Sequence, residues 1–466
     1  MVFSSYIFVF YFLPAVVFLY YAFPWKRNVL LLCVSYIFYG WWDPRFVVLM
    51  FLATLVNYVC GGIIAKSEKG SRSRRAALVA AVVLSLGMLG FFKYFMFAQN
   101  NLNALLVFFG GTPLPVWEIV LPIGISFFIF QSLSYSIDVY RGESPPVRSL
   151  SDFACFVALF PQLIAGPIVR YNTIADQLVE REHSLDKFAC GTALFILGFA
   201  KKILLANTIG AVADAVFGAE SPGCLDAWFG VCAYAFQIYF DFSGYSDMAI
   251  GLGRMFGFEF LRNFDSPYHA DSITDFWRRW HISLSTFLRD YLYIPLGGNR
   301  KGPLRTYVNL TIVMLLGGLW HGASWVFVIW GAYHGLLLAF ERWRGKESVY
   351  AKLPKQLRVG ITFVLVLFSW VLFRCPTLSG AATYFKAMFG ASAAHGGSIL
   401  LAGELYTRGN LIIMAICALV AFQRVQAFDW VKRMSWPRML LVLVIFMLSL
   451  TTMFVQAFNP FLYFQF

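Results

Sequence analysis

The sequence has few charged residues for its length. Of its 466 residues, 13% are charged and 59% are hydrophobic, whereas a soluble globular chain carries about 25% charged and about 45–50% apolar residues. Too little polar surface remains to cover a protein surrounded by water. This excludes an ordinary cytosolic enzyme, a disordered chain and a secreted disulfide scaffold. The long apolar runs instead indicate a polytopic membrane protein.

Motifs for several common reaction classes are also missing. The sequence has no G-x-x-x-x-G-K-[ST] phosphate loop, no H-E-x-x-H zinc motif, no G-x-S-x-G elbow and no G-x-G-x-x-G after a strand. Its eight cysteines are scattered with no C-x-x-C pair, so we predict neither a metal site nor a disulfide framework. The sequence therefore lacks the motifs that ATP hydrolysis, zinc proteolysis and serine-hydrolase chemistry require.

The basic residues do not form the single stripe that is typical of a nucleic-acid-binding protein. The net charge is +13, and two basic clusters lie between apolar runs, one over 66–75 and one over 342–358. Short loops rich in Lys and Arg mark the cytoplasmic side of a membrane protein. We therefore attribute most of the excess charge to topology and predict no nucleic-acid partner. A second use, attraction of an anionic cofactor to that face, stays open.

The apolar runs predict about eleven membrane crossings, since one crossing takes about 20 helical residues. They lie at 3–23, 29–42, 46–65, 76–98, 119–139, 189–206, 228–251, 308–340, 361–373, 411–422 and 439–454. No internal repeat divides the chain into matching halves, so we predict one domain over 1–466. The apolar start has no basic n-region, and we interpret it as a retained first span.

Two stretches do not resemble simple spans. Ser151–Arg170 contains Pro161 and Gly166-Pro167, which interrupt a helix. We predict a re-entrant or surface-lying hairpin there, which is tolerated only where protein or a water-filled cavity satisfies the backbone. Phe256–Arg305 is polar, aromatic and basic at once. It predicts short amphipathic helices whose polar edges turn toward a cavity.

Two histidines stand out as candidates for chemistry. His321 ends an apolar run and has glycines on either side. An ionisable side chain there is costly in lipid, so it should face a cavity or a partner. A neutral histidine hydrogen-bonded within the bundle is the open alternative. His281 lies beside Arg278, Arg279 and two tryptophans, a pattern that favours an interfacial position near phosphate headgroups.

Two carboxylates, Asp241 and Asp247, lie in an otherwise apolar helical segment. Six residues of helix rotate by about 600°, so the two face different sides and do not form an acid–base pair. Each is expected to bind a nearby Arg, Lys or backbone group. His334 follows His321 by thirteen residues, and it is not expected to share that site if the helix is continuous.

The segments around the two histidines resemble the membrane-bound O-acyltransferase superfamily. They are Trp280–Ser283, Phe287–Gly298 and Leu319–Ala323, and the last carries the superfamily's signature histidine. Three more segments are similar to its alginate O-acetyltransferase branch, namely Met1–Ser5, Tyr239–Asp247 and Asn459–Phe466. The D-alanyl-transfer branch, which acts on teichoic acids, shares the histidine segments but fits the two termini less well.

This resemblance implies an all-α polytopic fold, a ring of about eleven tilted transmembrane helices with re-entrant and amphipathic helices around a central tunnel. The histidine-bearing core would span about 150–340. The resemblance also implies an enzyme, an O-acyltransferase of the bacterial inner membrane. It would move an acetyl group from a cytoplasmic thioester donor, acetyl-CoA, to an extracytoplasmic hydroxyl of an exopolysaccharide such as alginate. No metal and no tightly bound cofactor are expected. Expected partners are a periplasmic acetyl-accepting transferase of the SGNH type or a polysaccharide-modification complex, and membrane lipid.

Residue roles follow from the resemblance. His321 is expected to be the general base, because neutral imidazole suits that task near pH 7. His281 is expected to position the donor or to stabilise the developing oxyanion, and a covalent acetyl-histidine stays open. Residues expected to line the tunnel or bind substrate are Trp280, Trp320, Asp241, Ser243, Arg279 and Ser283. The alternatives are transfer of D-alanyl or another acyl group to a cell-wall polymer, and transport of a small anion or lipid-linked sugar.

Overall fold

The computed structural model describes residues 1–345, 348–391, 397–456 and 462. Within these residues the secondary structure is helical and no strand is present, so the prediction of an all-α protein is confirmed. The C-terminal segment Asn459–Phe466, which contributes to the family resemblance, lies outside the described residues except for Leu462.

The first half of the chain forms helices of very different length. In chain order they are α1 (Leu13–Ala22), α2 (Arg27–Gly40), α3 (Arg45–Lys66), α4 (Arg72–Leu89), α5 (Phe95–Phe108), α6 (Ile125–Arg141), α7 (Leu150–Ala158), α8 (Phe160–Leu163), α9 (Tyr171–Val179), α10 (Leu185–Ala200), α11 (Asn207–Phe217) and α12 (Cys224–Met255). Short π-helical segments precede α1 at Ile7–Phe12, join α4 to α5 at Gly90–Tyr94, and join α10 to α11 at Lys201–Ala206.

The second half begins with short helices and continues with longer ones. They are α13 (Ile273–Arg279), α14 (Ile282–Leu288), α15 (Pro303–His321), α16 (Trp325–Trp343), α17 (Lys355–Arg374), α18 (Leu378–Met388), α19 (Gly397–Leu405), α20 (Arg408–Ala421), α21 (Ala427–Trp430) and α22 (Trp436–Val455). Short 3₁₀ segments lie at Pro24–Lys26 and Pro267–His269, and a π segment follows α14 at Arg289–Tyr293.

Two compact units can be distinguished by their internal contacts. The first contains Met1–Thr192 and Ala249–Leu261, and the second contains Ala193–Met248 and Arg262–Phe466. Both candidate histidines and their neighbours lie in the second unit. The single domain over 1–466 stays a prediction.

Several helices are long and apolar enough to cross a membrane. In the described part of the chain five meet this criterion, namely Arg45–Lys66, Arg72–Phe108, Leu185–Phe217, Lys355–Arg374 and Trp436–Val455. The pair Ile7–Ala22 and Pro24–Gly40, bent by 101°, brings the number to six if it counts as one span. A multi-pass membrane protein is therefore confirmed, whereas the count of about eleven crossings stays a prediction.

The segment Ser151–Arg170 is interrupted as its prolines predict, but it is not on the surface. Helix α7 ends at Ala158, the next residue, Leu159, has a ψ of 108° outside the helical region, and α8 follows at once. The amide of Phe160 donates to Ser35 Oγ at 3.0 Å, and residues 153–169 are buried throughout. The surface-lying alternative is wrong, because protein covers the segment and bonds its freed backbone.

The predicted span over 308–340 is also wrong, because it is two helices. Helix α15 ends at His321 and α16 begins at Trp325. The close approaches of Gly318 to Phe327 and of Gly331 to Met314 show that the two helices run antiparallel. His321 therefore lies at a reversal of the chain rather than in the middle of a continuous helix.

Candidate functional site

His321 is positioned by the hairpin of α15 and α16. The two helices approach so closely that a Cβ on Gly318 would press against the carbonyl oxygen of Phe327 and would lie 3.2 Å from the Cα of Gly331. Only glycine at these positions permits the contact. Because Gly318 is one turn before His321, the same packing fixes the height and the direction of the imidazole.

Aromatic rings surround His321 on several sides. The centroids of Trp320, Trp330 and Phe373 lie 5.0, 5.2 and 5.2 Å from that of the imidazole, each close to edge-on. The side chain keeps 9% of its surface exposed. The exposed part faces a cavity of about 540 Å³, which His321 lines together with Trp330. His321 is therefore held rigidly but is not sealed in packed side chains.

The cavity combines an apolar interior with a basic rim. Most of its lining is apolar, including Leu284, Leu310 and Met314, and its volume falls in the range of about 300–1,000 Å³ that is usual for small-molecule sites. Arg278 and Arg289 line it as well, and both are exposed. Arg289 is already paired with Asp290, its Nε lying 2.6 Å from Asp290 Oδ1. Such a cavity can hold an uncharged chain while the Arg278 guanidinium contacts an anionic end.

His281 lies in the bend between α13 and α14. Its backbone has φ 44° and ψ 55°, a left-handed conformation that costs a side-chain-bearing residue about 1–2 kcal/mol. The segment around Asn263 stabilises the bend, because the Ile282 amide donates to the Asn263 carbonyl oxygen at 2.9 Å. The side chain is completely buried, which contradicts the interfacial position that its neighbours in sequence favoured.

The two histidines are brought together, as the family resemblance implies. Their ring centroids lie 6.5 Å apart, and the ring of Trp320 is 5.8 Å from His281 and 5.0 Å from His321. His281 lies outside the helices that are long and apolar enough to span a membrane, and burial lowers its pKa to about 3. Its imidazole is therefore uncharged at physiological pH.

Helix α13 is anchored to α16 through its first turn. Ser272 Oγ accepts from the Asp275 amide at 3.0 Å. The buried carboxylate of Glu341 accepts from the amides of Ile273 and Thr274, both at 2.8 Å. These bonds satisfy donors that a helix N-terminus leaves open. They also fix Trp277, whose Nε1 donates to His334 Nδ1 at 3.3 Å.

His334 lies behind Trp330 rather than in the site. The Trp330 ring is 5.2 Å from His321 and 4.9 Å from His334, so the indole separates the two imidazoles. His334 was expected to lie away from His321 on a continuous helix. The separation holds, although the helix is broken and the indole is what keeps the rings apart.

The other residues predicted from the resemblance fall into two groups. Trp320 and Ser283 lie beside the histidines, and Ser283 Oγ is 3.5 Å from His281 Nδ1. Trp280 is instead buried in an aromatic cluster, 4.9 Å from Trp370 and 5.0 Å from Phe264 between ring centroids. Among the residues that the structure describes, the lining of the His321 cavity includes none of Trp280, Trp320, Ser283 and His281.

Arg279 and Asp241 are engaged in ion pairs. Arg279 Nε donates to Asp275 Oδ2 at 2.8 Å, and Lys202 Nζ lies 2.5 Å from Asp241 Oδ1 with both side chains 3% exposed. Asp247 pairs with Lys201 at 2.6 Å. The expectation that Asp241 and Asp247, both in α12, each bind a nearby Arg, Lys or backbone group is thereby confirmed.

Asp241 lines a separate, smaller cavity. This cavity of about 230 Å³ also contains Lys202 and Gln237. Ser243 is buried two positions further along α12. The intervening residue, Phe242, packs with its ring 4.7 Å from His281. Helix α12 therefore contacts the histidine site through one side and this second cavity through another.

Three contributors to the site were not singled out from the sequence. They are Asn263, which bonds His281, Glu341, which anchors α13, and Phe373, which packs against His321. Each acts on a residue that is 18 to 68 positions away in the chain. The only local signal was polarity, since Asn263 and Glu341 are polar residues next to apolar runs.

Comparison with known proteins gives consistent matches over this region. The MBOAT, membrane-bound O-acyltransferase family, matches residues 147–378. "Probable alginate O-acetylase AlgI" of Pseudomonas putida is 45% identical over 486 aligned positions, which cover 100% of both chains. The protein of the same name from Azotobacter vinelandii is 52% identical, covering 84% of this chain and 78% of that protein. "Peptidoglycan O-acetyltransferase" of Helicobacter pylori is 37% identical, covering 79% and 74%.

Proposed function

The chain belongs to the membrane-bound O-acyltransferase family, and on that premise we propose that it transfers acetyl from acetyl-CoA to a hydroxyl of alginate on the far side of the bacterial inner membrane. The family and the relatives show that it is an O-acetyltransferase with several membrane spans. The donor, the acceptor and the path between them are the proposal.

The observation that most supports this proposal is the position of His321. The imidazole lies on the wall of the 540 Å³ cavity, beside Trp330, while Arg278 and Arg289 stand exposed on the same lining. A thioester donor has the matching distribution of charge, with phosphates at one end and an uncharged acyl arm at the other. Arg278 would hold a phosphate and the apolar cavity would accept the arm.

This division also gives a reason for a tunnel. Coenzyme A carries several charges, which are strongly disfavoured in hydrocarbon, whereas an acetyl group is small and uncharged. The nucleotide can therefore remain on the cytoplasmic face while the acetyl-bearing end enters the protein. The aromatic rings around His321 would exclude water, which otherwise competes with the acceptor hydroxyl for the thioester.

In the proposed reaction, a ring nitrogen of His321 takes the proton of the acceptor hydroxyl while that oxygen attacks the thioester carbonyl carbon. The carbon–sulfur bond then breaks, and the leaving thiolate takes the proton from His321. The enzyme ends unchanged, the products being the acetyl ester and free coenzyme A. A well-placed general base contributes about 10²–10⁴ in rate.

Trp320 would form the wall between the two histidines, because its ring approaches both of them. His281 and Ser283 would act on the substrate side of the same site. The ion pair of Arg279 with Asp275 lies within α13 and favours a role in stabilising that helix. The ion pair of Asp241 with Lys202 favours a role in holding helices together. The buried environment of Trp280 favours the same role.

The acceptor is proposed from the relatives. Proteins named as alginate O-acetylases cover most or all of this chain at 45–52% identity, whereas the relative named for peptidoglycan is 37% identical. Alginate is therefore the proposed polymer. Because the proposed acceptor hydroxyl lies on the extracytoplasmic side, a periplasmic acetyl-accepting transferase is the proposed partner.

The proposal can be tested by acetyl transfer in isolated membranes. Membranes with and without the chain are given radiolabelled acetyl-CoA, periplasmic extract, and either alginate oligomers or peptidoglycan fragments. We expect label in alginate only when the chain is present. Label in peptidoglycan alone would contradict the acceptor, and no chain-dependent consumption of acetyl-CoA would contradict the donor.

A further inference from the structure

Asn263 makes an unusually complete set of hydrogen bonds for a side chain that is 1% exposed. Its Oδ1 accepts from the Ser283 amide at 3.1 Å and from Ser283 Oγ at 2.9 Å, and it lies 3.2 Å from His281 Nδ1. Its Nδ2 donates to Ser246 Oγ at 3.1 Å. Because a backbone amide can only donate, the atom facing Ser283 must be the oxygen, so the side chain has one orientation.

The fixed orientation of Asn263 decides which nitrogen of His281 carries the proton. The amide oxygen can only accept, so Nδ1 must be the donor. A neutral imidazole has one N–H, and therefore Nε2 carries a lone pair. Nε2 is buried and has no hydrogen-bond partner within the described ranges. It lies on the edge of the ring away from Asn263, and the ring packs against Trp320 and His321.

We propose that Asn263 is a positioning residue that holds His281 in its Nδ1–H form, so that Nε2 serves as a hydrogen-bond acceptor for an O–H or N–H group of the substrate. This inference rests on the proposed function, because it takes the space between the histidines as the place of reaction. It decides between two roles that the family resemblance left open for His281. A neutral ring whose only N–H is bonded to Asn263 has no hydrogen to donate to an oxyanion. Its Nε2 can instead accept a hydrogen bond from an O–H or N–H group of the substrate.

The strained backbone of His281 is consistent with this role. Left-handed conformations of non-glycine residues persist where surrounding contacts over-determine them, and they are frequent at functional sites. Among the described residues, His281 and Ser266 are the non-glycine positions with positive φ. Asn263 contributes to the same bend through both its backbone carbonyl and its side chain.

The tautomer can be measured directly by ¹⁵N NMR of the full-length protein in lipid, labelled in its histidines. The His281 signals are identified by their loss in His281→Gln. We expect a protonated Nδ1 and an unprotonated Nε2 in the wild-type chain, a measurement that requires no activity. A protonated Nε2 would overturn the proposal.

Two variants separate positioning from packing. Asn263→Leu removes the acceptor oxygen, and we expect the ring to shift to the Nε2–H form. Acetyl transfer should fall with the fraction of rings that shift, up to the about 10⁴-fold that a wrong histidine tautomer costs in a serine protease. Asn263→Asp keeps an acceptor oxygen, and we expect the Nδ1–H form and a rate within about tenfold of wild type. Asn263→Leu with an unchanged tautomer and rate would overturn the proposal.

A matched control is available in the same unit. Asn309 is also fully buried, and its Nδ2 donates to the Gly298 carbonyl oxygen at 2.9 Å. Asn309→Leu should lower stability but leave the His281 tautomer unchanged, and a changed tautomer would contradict a specific role for Asn263. If the tautomers behave as expected but the wild-type chain transfers no acetyl group, the proposed function fails and the positioning by Asn263 stands.

Discussion

Replacing Gly318 with alanine tests how tightly the hairpin of α15 and α16 holds the reactive imidazole. The added Cβ would press on the Phe327 carbonyl oxygen and would lie 3.1 Å from its carbonyl carbon and 3.2 Å from the Gly331 Cα. Carbon atoms pack best at about 3.5–4.0 Å. All three contacts are with backbone atoms, which cannot rotate away, so the helices must separate by about 1 Å.

This separation should affect both stability and rate. Overpacking of this kind costs about 1–3 kcal/mol, and we expect the upper end because backbone atoms are involved. His321 would move with its helix, and a displacement of about 1 Å at a catalytic group can cost about 10²-fold in rate. Gly318→Ala should therefore lower the apparent melting temperature in detergent and reduce acetyl transfer about 10²-fold.

The matched control for Gly318→Ala is Gly360→Ala. Gly360 lies inside α17, and a Cβ there would meet nothing within 4 Å. This variant should be neutral or more stable by about 0.5–1 kcal/mol, because alanine favours a helix over glycine. If Gly318→Ala matched Gly360→Ala in melting temperature and transfer rate, the tight hairpin would not be what positions His321.

Three further predictions concern other groups. Lys202→Met should destabilise the protein by about 3–5 kcal/mol because it leaves the Asp241 charge buried without a partner. The double variant Lys202→Met with Asp241→Leu should lose less stability in thermal unfolding than Lys202→Met alone. Stability losses that add up from the two single variants would contradict this. Burial lowers the pKa of His281 to about 3 in the folded protein, against about 6.5 in the unfolded chain. The contribution of this group to the free energy of unfolding is therefore fully present above pH 6.5 and is lost as the pH falls toward 3. His281→Gln should therefore unfold less readily in acid relative to its own stability at pH 8, and an equal acid sensitivity would count against a neutral ring. Arg278→Gln should raise the KM for acetyl-CoA about tenfold with kcat kept, and an unchanged KM would remove the donor contact.

The sequence alone predicted the kind of protein, and it singled out His281 and His321, whose roles stay a prediction; both inferences depend on local patterns. Low charge and long apolar runs indicate a membrane protein wherever they occur, and the segments around His281 and His321 are distinctive as they stand. The short helices of the polar stretch near His281 were also correct. Their length follows from the density of polar residues and from the capping residue Ser272.

The reversal after His321 could not be predicted in this way. Gly322–Ser324 interrupt an apolar run without a proline or a charge, so hydropathy continues through the turn. The close packing of Gly318 against the next helix is what shows that the chain reverses. The burial of His281 was missed for a related reason, because its basic neighbours in sequence are not its neighbours in space.

Contacts between distant residues account for the rest. Asn263 acts on a histidine 18 positions away, and Lys202 pairs with Asp241 across 39 positions. Such pairs depend on how the helices pack, and the local polarity of each residue does not identify its partner.

The most direct test of the account is acetyl transfer by His321→Ala at equal expression in membranes, compared with wild type and with His269→Gln. His269 bonds the Phe422 carbonyl oxygen in the same unit, so its replacement controls for loss of a histidine as such. We predict a loss of at least about 10²-fold for His321→Ala and a small change for His269→Gln. Transfer at the wild-type rate by a folded His321→Ala protein would contradict the assignment of the general base.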